Sequence, residues 1–460
     1  MAGCVLSEQE TGAEGSAEVL RATSLLGGST IHCMSTELPS YEQASAEVAA
    51  YVRKLRQHGR PTKETVDLPS ASGRVLAQPL IADQDQPPFA RSTRDGYACR
   101  AGEIAKHKPL SIVGSTHAGQ TPSGPLPKAA VWEIMTGAPI PAGADAVVML
   151  EHVERSGKTV CLGSQRTISA GDNIVDQGAQ ARRGEELLPV GAAIGAAQIA
   201  LAASCGYTAL EVFARPRVAI LTTGDELVPV EGTPGPGQIR NSNASMLAEL
   251  VKRAGGEPLV LPTAADTPQA LDKSLEKVLA KTLKADMLLI SGGVSAGKFD
   301  LVEPALARLR ARLMFTGVRI QPGKPLVFGD LPRSDSSEDG GKRLPFFGLP
   351  GNPISSAVTF LLFGAPVMTA LAGSHEIRPR FMLAHLSSAT DRRGKPGLAR
   401  FLPALCDFNS SAGKTPQVEI VPWHGSGDIA AFARANCLLM VPEAEGFLEA
   451  GSQVRVLLFL

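Results

Sequence analysis

The stretch Asp286-Met-Leu-Leu-Ile-Ser-Gly-Gly-Val-Ser-Ala-Gly-Lys-Phe-Asp300 decides the fold of this chain. An apolar run typical of a buried strand leads directly into a loop that holds glycines, one lysine and one carboxylate. Glycine lets the backbone come close to an anion, and the helical pattern from Leu301 onward would direct its positive N-terminal end at the loop. The stretch therefore predicts an anion-binding turn between a strand and a helix of an α/β domain.

The loop differs from a P-loop at one position. From Gly292 it reads G-x-x-x-x-G-K, but Phe299 occupies the place of the Ser or Thr hydroxyl that binds Mg²⁺ in nucleoside triphosphatases. We exclude that class of enzyme and keep the anion-binding role, with Asp300 as a candidate to hold a metal or a water molecule. Taken alone, the loop is equally compatible with a plain glycine-rich turn.

Two more predicted strands end in polar loops. The strand at 217–221 runs into Thr222-Thr-Gly-Asp-Glu226, and the strand at 344–347 runs into Gly348-Leu-Pro-Gly-Asn-Pro353. Loops at the carboxyl ends of parallel strands meet in one crevice, so we expect a single site. Carboxylates beside an anion-binding loop need a divalent cation between them and the anion, and Mg²⁺ favours such oxygen ligands. The residues expected at this site are Asp225, Glu226, Gly292, Gly293, Asp300 and Gly351.

The composition excludes several classes of protein. Of 460 residues, 45 are basic, 45 are acidic and 5% are aromatic, so bulk charge indicates neither a nucleic-acid-binding face nor an acidic partner. The seven cysteines include no C-x-x-C pair, which is typical of reduced cytoplasmic thiols and not of a disulfide framework or a zinc site. We expect no membrane span, because no uninterrupted apolar run reaches about 18 residues and the closest lies at 187–203.

The patterns along the chain predict several domains. Ser40 and Gln43 form a capping box before a helix over 41–58, and further helical residues are expected at 70–77 and 194–203. Evenly spaced strands near the C-terminus favour a small β barrel or sandwich. The expected organisation is a disordered tail at 1–36, with Met34 as a candidate start; a helical or linker domain I at 37–79 and 173–214; an inserted β domain II at 80–172; an α/β domain III with a mixed, mainly parallel sheet at 215–374; and a C-terminal β domain IV at 375–460.

Seven short motifs follow one another in an order that resembles a known family. They are Ser92-Thr-Arg-Asp-Gly-Tyr-Ala98, Met135-Thr-Gly-Ala-Pro-Ile-Pro141, Gly171-Asp-Asn-Ile174, Thr223-Gly-Asp-Glu-Leu227, Ser291-Gly-Gly-Val-Ser-Ala-Gly297, Pro322-Gly-Lys-Pro325 and Gly348-Leu-Pro-Gly-Asn-Pro353. Each motif alone has little specificity, but the ordered set across 37–459 resembles the molybdopterin molybdenumtransferases, the MoeA family related to the gephyrin E domain.

The resemblance implies an enzyme that inserts molybdenum from molybdate into adenylylated molybdopterin, with Mg²⁺-dependent release of AMP. It implies four domains, of which III binds molybdopterin and IV is a β barrel. It also implies a homodimer and possible contact with other proteins of molybdenum-cofactor biosynthesis. From the composition and cysteines we expect a cytoplasmic protein with neither a nucleic acid nor a membrane as partner. In the family, the cleft lies between the α/β domain of one subunit and the inserted domain of the other. Asp95 and Thr136 would therefore act in the cleft of the partner subunit.

Site residues follow from the loops described above and, position by position, from the resemblance. The catalytic candidates are Asp95, Thr136, Glu226 and Asp300, and the candidate metal ligands are Asp225, Glu226 and Asp300. The candidate substrate-binding residues are Thr223, Gly224, Asp225, Ser291, Gly292, Gly293, Ser295, Gly297, Lys298, Lys324, Pro350, Gly351, Asn352, Pro353, Asp172 and Asp266.

The sequence departs from the family pattern where positive charge is common. Gly317 and Gln321 occupy positions at which lysine is frequent, and Arg94 stands where methionine often precedes the D-G-Y aspartate. The charge for an anionic ligand would then come from Lys298, Arg319, Lys324 or Arg94.

Two other functions remain open at this point. One is adenylylation of molybdopterin, which a related α/β domain with the same S-G-G loop performs; the inserted domain and the C-terminal domain argue against it. The other is a non-catalytic scaffold, as in gephyrin, against which the retention of Asp95, Glu226 and Asp300 argues. Molybdate and tungstate are not distinguished, because the two dianions nearly match in size and charge.

Overall fold

The computed structural model divides the chain into two units, Met1–Glu37 and Leu38–Leu460. The residues that the structure describes are 37–57, 61–105, 107–163, 166–280, 282–293, 301–333, 343–376, 378–391, 397–408 and 415–459. The predicted tail at 1–36 lies outside them.

The first helix, Tyr41–Gln57, begins at the predicted cap. Ser40 N donates to Gln43 Oε1 at 2.8 Å and Gln43 N donates to Ser40 Oγ at 3.1 Å, which confirms the capping box. The buried residues of the helix recur at helical spacing and pack against the helix Ala365–Leu371 in one core. They are Tyr41, Ala44, Val48 and Tyr51.

Two antiparallel strand pairs join the segments on either side of the inserted part. Lys63–Asp67 pairs with Ala209–Phe213, and Leu80–Ile81 pairs with Glu186–Leu188. The helix Ala196–Ser204 follows the second pair, close to the predicted 194–203. The predicted helix over 70–77 is wrong. Only a 3₁₀ turn at Pro69–Ala71 forms, because Gly73 adopts a φ of +73°, which no right-handed helix accommodates.

The inserted segment forms a sheet of short strands. Within the described chain, six strands pair side by side in the order Ala146–Met149, Gly96–Cys99, Ala130–Ile134, Leu110–Thr116, Thr159–Leu162 and Val153–Ser156. Tyr97, Val131 and Val148 fill its core. A separate pair, Arg91–Ser92 with Ile174–Val175, joins the entrance and exit of the segment.

A second sheet of six strands, counted over the described residues, forms the α/β part. Its order is Glu257–Val260, Arg217–Thr222, Met287–Ser291, Arg343–Leu349, Val327–Pro332 and Arg312–Thr316. The first four pair in parallel, and Val327–Pro332 pairs antiparallel with both of its neighbours, which confirms the mixed, mainly parallel sheet. Alternate residues of each strand point to opposite faces: Ile220 packs in one core, and Ala219 and Leu221 pack in the other. The helices of this part are Ser242–Arg253, Pro268–Leu279, Val302–Arg308, Pro353–Thr359 and Ala365–Leu371.

One helical run among the described residues, Pro353–Leu371, is long and apolar enough to cross a membrane by length and composition, with a mean hydropathy of 1.8. It contains a π-helical turn at Phe360–Gly364, and 89% of it is buried inside the fold. Our choice of 187–203 as the most apolar stretch is therefore wrong. Polar residues interrupt the longer run in sequence, but the helix satisfies them internally: Thr359 Oγ1 donates to Ser355 O at 2.8 Å. The run is the central core helix of this fold.

The C-terminal strands close into a barrel, which decides between barrel and sandwich. In ring order, the strands are Ala399–Asp407, Gln417–Ile420, Phe381–Leu386, Gln453–Leu458 and Cys437–Val441, and the last pairs with the first. The short strand Ile320–Gln321, which precedes Pro322-Gly-Lys-Pro325, pairs in parallel with Ala399 and Arg400. This pairing joins the barrel to the α/β part beside the predicted site. A helix, Ile429–Arg434, lies between two of the barrel strands in sequence.

Candidate functional site

Three loops meet at the carboxyl edge of the α/β sheet, as expected for neighbouring parallel strands. The strands Arg217–Thr222, Met287–Ser291 and Arg343–Leu349 are adjacent. Their loops are joined by backbone hydrogen bonds: Thr223 N donates to Ser291 O at 3.0 Å, and Gly292 N donates to Leu349 O at 3.1 Å. The separation of the loops is therefore set by the sheet.

A cavity of about 1240 Å³ opens at these loops. It is large enough for a nucleotide-sized ligand. The predicted site residues that line it are Thr223, Gly224, Glu226, Asp266, Ser291, Gly292, Gly293, Lys324, Pro350, Gly351, Asn352 and Pro353. Asp225 is not among the lining residues, although both of its sequence neighbours are. Four predicted residues, Ser295, Gly297, Lys298 and Asp300, lie outside the described residues.

The paired glycines of the central loop have a structural requirement. Gly292 has a φ of +102°, and a Cβ there would lie 2.6 Å from Thr223 O. Gly293 has a φ of +65°, and its Cβ would lie 3.0 Å from Val302 Cγ2. A side chain at either position would strain the backbone and push the loop from its neighbours. Two bare backbone units therefore face the cavity, as an anion-binding loop needs.

Asn243 connects the loops from the first turn of the helix Ser242–Arg253. Its Nδ2 donates to Ser291 Oγ at 2.9 Å and to Gly351 O at 2.6 Å. Ser291 Oγ also lies 3.3 Å from Ser356 Oγ, which in turn donates to Pro350 O. These bonds form a partly buried polar network beside the cavity. It fixes the Ser291 loop relative to the Pro350–Gly351 loop.

Acidic side chains gather on one wall of the cavity. Asp225 Oδ1 accepts a hydrogen bond from Asp266 N at 3.1 Å. Partial burial raises the pKa of the Asp266 carboxyl above its usual value, and the negative charges of Asp225 and Glu226 add to the shift. A cation beside them would offset this repulsion, so the donor set fits a divalent ion. Among the described residues no three His, Cys, Asp or Glu side chains lie close enough to hold a metal by themselves. Asp300 is the remaining predicted ligand, and it lies outside those residues.

Positive charge at the cavity comes from few groups. Lys324 lines the cavity, is exposed, and within the described chain its Nζ makes no ion pair. Arg319, one of the residues that could replace the missing lysines, is instead paired with Glu443 at 2.6 Å and donates to Leu38 O at 2.7 Å. Gly317 has a φ of +98°, and a Cβ there would lie 2.8 Å from Leu38 Cδ2. A lysine at 317 is therefore disfavoured by the backbone, whereas Gln321 is exposed and lines the cavity.

The three predicted residues of the inserted domain form a separate group, which does not line the cavity within this chain. Asp95 Oδ1 accepts hydrogen bonds from Thr136 N at 2.7 Å and from Thr136 Oγ1 at 2.8 Å. These two bonds lower the pKa of the Asp95 carboxyl, so it is an anion at neutral pH. Asp172 accepts from Ser169 N at 2.8 Å in its own turn.

The loops of this group are also tied together through the backbone. Thr93 N donates to Asn173 O at 2.9 Å, and Gly137 N donates to Ser92 O at 2.8 Å. The structure therefore brings Asp95 and Thr136 into direct contact, with the Asp172 turn beside them. All three side chains are exposed.

Several cavity residues escaped the sequence analysis. Asn243 carried a local signal, because Asn241-Ser-Asn243 stands at a helix start, where Asn241 Oδ1 accepts from Ala244 N as the cap. Trp423 and Ser426 carried none, since they reach the cavity only through the docking of the barrel. Ile354 N donates to Ser426 O at 3.0 Å, which holds this barrel loop against the helix that follows the Gly348–Pro353 motif.

Comparison with known proteins decides the family. The chain is 33% identical over 433 residues to the molybdopterin molybdenumtransferase of a Nostoc species, a match that covers 92% of this chain and 94% of that protein. The chain belongs to the molybdopterin molybdenumtransferase family. A molybdopterin molybdenumtransferase of Staphylococcus epidermidis is 31% identical, over 89% of this chain and 94% of that protein. The membership makes this protein a transferase with a role in molybdenum-cofactor biosynthesis.

Family models and a solved structure agree. Residues 39–206 match the MoeA N-terminal region (domain I and II), 219–370 match the "Probable molybdopterin binding domain", and 385–459 match the MoeA C-terminal region (domain IV). The crystal structure of the molybdopterin biosynthesis moeA protein from Pyrococcus horikoshii superimposes with a TM-score of 0.73 at 26% identity, covering 92% of this chain and 100% of that one.

Proposed function

We propose that this protein inserts molybdenum from molybdate into adenylylated molybdopterin and releases AMP in a Mg²⁺-dependent step. The observation that carries the proposal is the cavity in which the Thr223, Gly292 and Gly351 loops meet beside an acidic wall. Together with the family membership, it supports a site for a phosphorylated pterin ligand.

The residues of the cavity supply the binding chemistry. The loop at Gly292 and Gly293 would receive the phosphates through the N–H of Gly293, because no side chain shields it and the N–H of Gly292 already holds the loop to Leu349 O. Lys324 would neutralise part of the negative charge of phosphate or of molybdate, the substrate that supplies the metal. The glycine loop is in place before the ligand arrives, so its orientation adds little cost on binding.

The acidic wall would hold the magnesium ion. Asp225, Glu226 and Asp300 are the proposed ligands, with Asp266 beside them. When bound, the ion neutralises phosphate charge and polarises the phosphorus for attack. Glu226 lines the cavity, and we propose that its carboxylate, or that of Asp300, also orients the water that attacks the phosphoanhydride. Asp172 and Asp266 are kept as substrate-binding proposals.

We propose further that the protein acts as a homodimer, in which Asp95 and Thr136 of one subunit complete the cavity of the other. Two observations support this arrangement. The pair is exposed and hydrogen-bonded, and it does not line the cavity of its own chain. Mixing Asp95→Asn subunits with Asp300→Asn subunits, each inactive alone, should then restore activity, because every heterodimer contains one intact site. No recovery after verified subunit exchange would show that the site is built within one chain.

The contact between barrel and cavity favours this function over adenylylation of molybdopterin. Trp423 and Ser426 of the barrel line the cavity, and an isolated α/β adenylyltransferase would have no counterpart for them. We keep the predicted domain limits of 37–79 with 173–214, 80–172, 215–374 and 375–460 as part of the proposal. A cytoplasmic location also remains a proposal; the free thiols of Cys99, Cys161, Cys205, Cys406 and Cys437 are consistent with it.

One assay tests the reaction directly. Purified protein is incubated with adenylylated molybdopterin, Mg²⁺ and molybdate, and AMP release and cofactor formation are followed together. We expect both products in equal amounts, and neither when Mg²⁺ is chelated. Glu226→Gln should keep the fold by circular dichroism but lose AMP release by about 10²-fold or more if Glu226 acts in the chemical step. AMP release at the wild-type rate in this variant would remove Glu226 from the mechanism.

A further inference from the structure

Asn243 has one half of its amide committed to the protein and the other half uncommitted. Nδ2 donates to Ser291 Oγ and to Gly351 O, at 2.9 and 2.6 Å. Oδ1 is buried and has no hydrogen-bond partner in the part of the chain that the structure describes. The residue lines the cavity between the loops proposed to receive the ligand.

The orientation of this amide is determined by its surroundings. Gly351 O can only accept a hydrogen bond, so the atom 2.6 Å from it must be the NH₂ group and not the amide oxygen. Reversing the amide would place two acceptors in contact. The uncommitted atom is therefore an acceptor, and its position is fixed by the two loops to which Nδ2 is bonded.

A second buried polar atom of the same cavity has no partner either. Thr223 Oγ1 is without a hydrogen bond, although Thr223 is only 7% exposed. Buried polar atoms of native proteins are almost always paired with protein, water or ligand. Two such atoms on side chains that line one cavity indicate that a ligand or its water completes them. An acceptor such as Asn243 Oδ1 needs an N–H or O–H donor, which an ionised phosphate does not offer.

We propose that Asn243 is a specificity-determining residue that recognises the non-phosphate part of the ligand. Its Oδ1 accepts a hydrogen bond from an N–H or O–H group of that part, while its Nδ2 holds the Ser291 and Gly351 loops at their separation. The proposal rests on the function proposed above, in which the ligand joins a pterin to a nucleotide. Both moieties carry such donors, as pterin N–H groups or as ribose and adenine groups.

Charge explains why an amide suits this place. A carboxylate would offer the same acceptor, but it would repel the phosphates bound at Gly292 and would lose the bond to Gly351 O. An aliphatic side chain would lose both the acceptor and the bond to Gly351 O. Asn243 thus provides an acceptor without adding charge, on a side chain that cannot rotate without breaking the contact between loops.

The test compares three probes on the full chain by titration calorimetry: AMP, molybdopterin and inorganic pyrophosphate. Pyrophosphate presents phosphate oxygens without an N–H group, so it reports the anion-binding loop alone. Asn243→Ala should weaken AMP or molybdopterin by about tenfold or more relative to pyrophosphate, as expected where a site loses its partner for a ligand donor. The probe that weakens identifies the moiety that Asn243 contacts.

Asn436→Ala is the matched control. Asn436 is a half-buried barrel residue whose Nδ2 donates to Cys406 O at 2.9 Å and whose Oδ1 accepts from Cys406 N at 2.8 Å. Its replacement also removes two amide hydrogen bonds, but outside the residues that line the cavity, so all three affinities should stay at wild-type values.

Asn243→Asp keeps an acceptor oxygen on a side chain of nearly the same shape. It replaces the alanine variant in the test if that variant does not fold. In Asn243→Asp, pyrophosphate should weaken through charge repulsion, and the AMP or molybdopterin affinity relative to pyrophosphate should not fall below that of the wild type.

Each outcome decides the proposal. An equal loss for all three probes in Asn243→Ala would mean that Asn243 only ties the loops, and the inference would be wrong while the proposed function stands. A fall in relative affinity in Asn243→Asp would also overturn it. Binding of pyrophosphate without AMP or molybdopterin to the wild type, or no binding at all, would contradict the proposed function itself.

Discussion

Replacement of Gly292 by alanine tests whether the central glycine loop binds the anion. Gly292 has a φ of +102°, and the new Cβ would lie 2.6 Å from Thr223 O, which is too close for any real contact. Backbone strain of this kind costs about 1–3 kcal/mol, so the variant should melt a few degrees lower than the wild type. In addition, the loop or the end of the Arg217–Thr222 strand must move to relieve the contact. A shift of the Gly293 N–H that would face the phosphate should cost at least about tenfold in affinity, or about 1.4 kcal/mol.

Gly184→Ala provides the control for the strain alone. Gly184 has a φ of +85°, and its Cβ would meet nothing within 4 Å. It should show a similar fall in melting temperature with unchanged affinity for AMP and unchanged AMP release. Affinity is measured by calorimetry with AMP and pyrophosphate, and turnover by AMP release. If Gly292→Ala binds and turns over like the wild type while both variants are destabilised, the loop is not the anion-binding element.

Two further predictions concern charge at the cavity. Gln321→Lys should lower, severalfold, the molybdate concentration needed for half-maximal insertion, because Gln321 lines the cavity, and the effect should shrink as salt rises; an unchanged molybdate dependence at low salt would mean that Lys324 already suffices. Asp266→Asn should raise the melting temperature at pH 7, because the raised pKa of Asp266 means that folding disfavours its charge. The free-energy cost of the Asp266 charge is absent below the pKa of about 4 that this group has in the unfolded chain, and it is complete above the pKa in the folded protein. The gain in melting temperature should therefore vanish as the pH falls to about 4. Equal melting temperatures at pH 7 would show that a partner already neutralises the carboxylate.

The sequence predicted the site where chemistry is encoded locally. The loops after three apolar strands could be placed on one edge because parallel strands share a direction, and the structure brings Thr223, Gly292 and Gly351 to one cavity. The capping box at Ser40 and Gln43 was equally local. Such features depend on residues within a few positions of one another, which sequence patterns describe well.

What the sequence did not predict depends on contacts between distant segments. Trp423 and Ser426 enter the cavity only because the barrel is docked by the strand Ile320–Gln321 and by the bond between Ile354 N and Ser426 O. Arg319 was a candidate ligand cation by charge, yet Glu443, more than a hundred positions away, already binds it. At 70–77 the error was local: we expected helical residues there, but the left-handed Gly73 ends the helical turn at Pro69–Ala71.

The parallel pairing of Ile320–Gln321 with Ala399–Arg400 has a mechanical consequence. Lys324 belongs by sequence to the α/β part, but the strand just before it pairs with a strand of the barrel. Arg319, at the start of that segment, forms an ion pair with Glu443 of the barrel. A movement of the barrel relative to the α/β part would therefore also move Lys324 relative to the cavity that it lines. A chain that ends at residue 374 would keep every glycine loop of the cavity, but it would lack the barrel strand that positions the segment before Lys324.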